Sequence, residues 1–63
     1  MDKRMRLAQQ IDGRTFDKVD AIFGYMLVCA DADVAERTAL HLRSQGIACD
    51  HSRRLNTDRV FFL

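Results

Sequence analysis

The chain has no proline, only three glycines and only two cysteines, and each shortage excludes something. Without proline-rich or low-complexity stretches no linker divides it, and no internal repeat is present, so residues 1–63 read as a single small domain. Cys29 and Cys49 are too few for the disulfide framework of a small secreted scaffold, which takes about four cysteines or more. No glycine-rich loop is there to cradle a phosphate. The longest apolar run, Ala21 to Ala30, is interrupted by Gly24 and reaches about half of a membrane span. Behind Lys3, Arg4 and Arg6 the sequence turns polar at Gln9-Gln10, which argues against a secretory signal. The expectation is a cytoplasmic protein that does not engage a membrane.

A large excess of charge is also missing. Ten basic residues stand against nine acidic ones, a net of +1, too balanced for a protein that holds a polyanion by bulk charge. The distribution is uneven: residues 1–11 are basic, residues 12–36 acidic and residues 37–63 basic again. What is present suits a folded domain, with 48% hydrophobic and 30% charged residues. A chain this short buries only about 60% of its unfolded surface, so a deep multi-substrate cleft is beyond its means and a second copy is a natural way to complete its core.

The clearest element is a helix from Val34 to Gln45. Asp33 is its expected N-cap, Glu36 completes a capping box, and Gly46 follows at the position where a left-handed residue ends a helix. Val34, Ala35, Thr38, Ala39 and Leu42 recur at helical spacing and form its apolar stripe. Apolar runs flank it, Tyr25 to Ala30 before and Ile47 to Ser52 after, the second alternating like an edge strand. Strand, helix, glycine, strand predicts a right-handed crossover between parallel neighbours. Arg53 to Asp58 reads as a loop, and Arg59 to Leu63 as a last strand with both faces apolar.

The N-terminal third reads as helical. One helix is expected from about Asp2 to Gln10, ended by Asp12-Gly13, and Phe16, Val19, Phe23 and Met26 continue at helical spacing. The expected fold class is therefore α+β (a small α/β domain): an N-terminal helical segment followed by a β-α-β-β unit. Its three-stranded mixed sheet carries one well-defined helix on one face. The N-terminal segment or another copy of the chain is left to cover the second face.

No constellation points to catalysis. Cys29, His41, Cys49 and His51 are zinc-type ligands, but the ligand pairs lack the spacing of structural sites, and they read as two buried cysteines and two surface or capping histidines. Asp31 and Asp33 near Cys29 raise a thiol's pKa rather than lower it, which argues against a nucleophile. Asp31, Asp33 and Glu36 read as helix-capping acids rather than a cation site. No cofactor or metal is expected, and the chain is read as no enzyme.

The densest basic cluster is Arg53, Arg54 and Arg59 with His51. Arginine is favoured at protein-interface hot spots, so these four are the expected partner-binding residues. Tyr25, Phe61 and Leu63 are expected to mediate self-association, because an apolar terminal strand invites pairing with a second chain. Together these features suggest a small interaction module, homodimeric, that binds and modulates or inhibits a cytoplasmic protein in the manner of a phage or mobile-element inhibitor. The alternative is a nucleic-acid-binding module that grips phosphates with Arg53, Arg54 and Arg59, although no RRM, KH or helix-turn-helix pattern is present.

Overall fold

A computed structural model describes residues 2–63. In chain order it has helix α1 (Lys3–Ile11), strands β1 (Phe16–Asp20) and β2 (Gly24–Cys29), helix α2 (Ala32–Ser44), and strands β3 (Cys49–Arg54) and β4 (Thr57–Phe62). The α+β class stands, but the sheet has four strands rather than three, and every pairing is antiparallel. The order across it is β1-β2-β4-β3.

The additional strand comes from residues expected to be helical. Phe16 and Val19 fit a three-residue helical step, but they also fit opposite faces of a strand, and a hairpin decides for the strand. Asp20 Oδ1 accepts the backbone N–H groups of Ile22 (2.7 Å) and Phe23 (3.0 Å), and Gly24 at φ 71° closes the turn in the left-handed region. Once reversed, the chain lays Phe16 opposite Val28 and Val19 opposite Tyr25.

β2 and β3 do run parallel, as a crossover through α2 requires, but they are not neighbours. β4 lies between them, antiparallel to both. A two-residue turn at Leu55-Asn56, both at positive φ (51° and 63°), returns β4 directly beside β3. The expected loop over residues 53–58 is thus only these two residues. β4 takes the central place because it alone of the two is apolar on both faces, whereas β3 suits an edge.

α2 starts earlier than expected. Its N-cap is Asp31, not Asp33: Asp31 Oδ1 accepts Val34 N–H at 2.9 Å, while Asp33 lies inside the first turn and pairs with Arg37 at 3.4 Å. The two aspartates stand two residues apart, and Ala32 extends the helix as readily as Val34. The far end matches expectation. Gly46 (φ 82°) donates to Arg43 O and Ile47 donates to Leu42 O, each at 3.0 Å, a Schellman closure.

Both helices pack on one face of the sheet. Met5, Leu7 and Ala8 of α1 and Val34, Ala35, Ala39 and Leu42 of α2 share a core with Leu27, Cys29, Cys49 and Val60. The N-terminal helix therefore does not cover the second face, contrary to one of the two expectations for it. No helix among the described residues is long and apolar enough to cross a membrane.

Candidate interaction face

The face turned away from the helices is built by alternation. Leu27 and Val60 point into the helix-side core, so their neighbours Met26, Val28, Arg59 and Phe61 point to the other side. Register adds Phe16 and Lys18 from β1 and Ser52 and Arg54 from β3. No helix covers this face, yet Met26 is fully buried, and Arg59 is only 6% exposed.

Side chains of the face itself achieve that burial. Phe23 folds back from the β1–β2 turn so that its ring centroid lies 5.3 Å from that of Phe61, tilted by 60°. The Arg54 guanidinium stacks 4.1 Å above the Phe23 ring. Arg59 lies beneath this level: its Nε donates to Thr57 Oγ1 at 2.7 Å and its Nη1 to Met26 Sδ at 3.2 Å. Phe16 and Phe23 remain 55% and 41% exposed, so the result is a flat aromatic and cationic surface.

The cations on this face form no ion pair among the described residues. Arg4, Arg14, Arg37, Arg43 and Arg53 each hold a carboxylate. No carboxylate among the described residues comes within ion-pair distance of Arg54, Arg59 or Lys18. An isolated buried cation is costly, and sulfur and hydroxyl acceptors compensate it only weakly. Asp20, on the same face, is held below its ordinary range first by the Phe23 and Ile22 N–H groups and further by the field of Arg59 and Lys18, while Asp50 pairs with Arg43 at 3.0 Å.

The basic cluster read from the sequence does not form one patch. Arg54 and Arg59 share the helix-free face, whereas Arg53 points to the helix side and pairs with the nearly buried Asp58 at 2.8 Å. The strand period of two separates Arg53 from Arg54, which a loop would not have done. His51 falls on the same side as Arg53 and is exposed.

The self-association set is divided as well. Tyr25 lies on the helix side, with the Arg4 guanidinium 4.1 Å over its ring, the Phe62 ring 5.7 Å away, and its hydroxyl donating to Asp17 at 3.2 Å. Burial and that carboxylate push its phenol up to about 12. Phe61 lies on the opposite face under Phe23, and Leu63 is 88% exposed beyond β4. β4 has a strand on each side, so its edges offer no pairing site. Phe16, Lys18, Phe23 and Met26 are the face residues that sequence reasoning missed; the turn residues Asp20 and Gly24 were the signal that this segment reverses as a hairpin.

The metal-type side chains are dispersed. No three of them gather among the described residues. His41 Nε2 bonds Gln10 Oε1 at 2.9 Å, and Cys49 lies in the core with its Sγ 3.5 Å from Ala39 O. Burial pushes both thiols up, although the Thr15 and Thr38 hydroxyls beside Cys29 oppose this. No pocket opens among the described residues.

Against known proteins, no family model matches the chain, and neither a curated protein nor a solved structure matches it significantly.

Proposed function

We propose that the chain is a small non-catalytic interaction module that binds a cytoplasmic protein through its helix-free sheet face and modulates or inhibits it. The supporting observation is the pair Arg54 and Arg59, two guanidinium groups on an aromatic surface, neither of them in an ion pair among the described residues. A partner offering Asp or Glu beside apolar side chains meets both needs at once. It supplies the missing counter-charge in a water-poor setting and covers Phe16 and Phe23. Arginine and aromatic anchors in a flat surface are the residue types that dominate protein-interface energetics.

One observation favours a second reading. Arg54 over Phe23 is a cation on an exposed ring, and such platforms also stack nucleobases. Against it, the phosphate-gripping set is divided between two faces, with Arg53 held by Asp58. Affinity capture from native lysate, with and without nuclease, separates the two. The protein reading expects a stoichiometric protein that survives nuclease and salt, is lost with Arg54→Glu, and is kept with Arg37→Glu on the helix side. Capture that vanishes with nuclease, or that Arg54→Glu leaves intact, overturns it.

A further inference from the structure

We propose that the chain pairs with a second copy of itself along the free edge of β1, antiparallel and centred on Val19. This edge borders the sheet face assigned to a protein partner and shares Phe16 and Lys18 with it, but the pairing argued here rests on β1 alone and does not depend on that assignment.

β1 has a neighbour on one side only, which leaves a row of backbone donors and acceptors open. Exposed apolar residues crowd around it: Phe16 at 55%, Val19 at 77% and Ile22 at 84%. Lys18 has no ion-pair partner among the described residues, and Asp20 uses only Oδ1 on its own turn. The edge thus shows a bare apolar centre flanked by one free ammonium and one free carboxylate oxygen.

Symmetry decides the register. A two-fold axis perpendicular to the sheet makes the two edges antiparallel and keeps both pairs of helices on the same side, so residues that meet must share a face. Centring on Val19 sets that residue against its own copy on the helix side. On the helix-free side it sets Lys18 against Asp20 of the second copy, and Asp20 against the second copy's Lys18. Centring on Lys18 instead opposes two ammonium groups, centring on Asp17 or Asp20 opposes two carboxylates, and centring on Phe16 brings Lys18 against Arg14, all unfavourable across strands. Of the five registers centred on a residue of β1 only the one on Val19 is self-complementary.

The other edge has its charges already spent. Centring β3 on Ser52 would oppose Asp50 to Arg54 of a second copy, but Asp50 already pairs with Arg43, Arg54 is stacked on Phe23 and Arg53 is held by Asp58. Pairing β1 with β3 of the next copy gives a head-to-tail contact that does not close and predicts open chains of molecules instead of a dimer.

Sedimentation equilibrium over a concentration series into the millimolar range, with circular dichroism to verify folding, tests the proposal. The wild-type chain is expected to be a dimer. Val19→Lys and Lys18→Asp are expected to weaken dimerisation at least about tenfold, because each places like charges opposite one another. Asp20→Lys alone is expected to be monomeric, and its equimolar mixture with Lys18→Asp to form a heterodimer in which both opposed pairs are again complementary. If Asp20→Lys disturbs its turn, Val19→Lys and Lys18→Asp decide the matter alone. A monomeric wild type, dimers unaffected by these two substitutions, or wild-type assemblies that grow without limit each overturn the proposal.

Discussion

Arg59 places its Nη1 3.2 Å from Met26 Sδ, and both side chains are buried on a sheet face that no helix covers. A cation occupies a position where a small domain ordinarily places a hydrophobe, with a thioether and a hydroxyl in place of a carboxylate. Such an arrangement sacrifices stability in the free chain, and the proposed interface gives the charge a use.

Arg59→Met therefore separates stability from binding. Replacing the unpaired guanidinium by a side chain of similar length is expected to raise the unfolding free energy by about 1 kcal/mol while weakening partner capture. Urea denaturation reads the first effect. A loss of stability would show that Arg59 holds the fold together instead.

Arg53 and Arg54 are adjacent in sequence but are expected to respond oppositely. Arg53→Ala leaves Asp58 nearly buried without its guanidinium and is expected to cost about 1–2 kcal/mol. Arg54→Ala removes an exposed stacking contact and is expected to cost about 0.5 kcal/mol or less, yet to abolish partner binding. Paired denaturation and capture measurements on the two variants check the contrast.

Leu55 holds φ 51° in the β3–β4 turn with its side chain exposed, a conformation that suits Asn or Gly better than Leu. Leu55→Asn is expected to stabilise the chain by about 0.5–1 kcal/mol. An unchanged denaturation midpoint would contradict the turn geometry.

The two aspartates at the start of α2 differ in role. Asp31→Ala removes the N-cap and is expected to cost about 1 kcal/mol, whereas Asp33→Ala loses only an exposed ion pair and is expected to cost less than about 0.5 kcal/mol. Thermal unfolding of both variants distinguishes them.

Acid is expected to weaken the N-terminal region first. The Arg4 side chain and backbone hold Asp2 at about 2, and Arg14 does the same for Asp12, both below the ordinary value of 3.8. Folded values below unfolded ones mean stability that is present above pH 3.8 and lost as pH falls toward about 2. Both arginines reach solvent, although the Asp12 carboxylate is largely covered, so added salt should flatten this loss, more for Asp2 than for Asp12. A pH series of denaturation curves at low and high salt reads both effects.

Much of the fold was legible because α2 carries signals that agree at several levels. Its apolar stripe, its closing glycine and its flanking strands all hold in the structure. The β1–β2 hairpin was not legible, since Phe16, Val19 and Phe23 satisfy both periods and only Asp20 and Gly24 mark the reversal. The arginine cluster was visible, but its division was not. Whether Arg53 and Arg54 share a face depends on their lying in a strand, and the sequence around them reads as a loop. The absence of a helix from the second face followed from α1 packing beside α2, a tertiary choice that no local pattern encodes.

The most direct test of the proposed interface is an NMR footprint: the isotope-labelled chain titrated with the captured partner, following amide and side-chain methyl shifts. Perturbations are expected to concentrate on Met26, Val28, Ser52, Arg54, Arg59 and Phe61 and at the Phe23 turn. Perturbations centred on the outer surfaces of α1 and α2, with these positions unmoved, would contradict that interface.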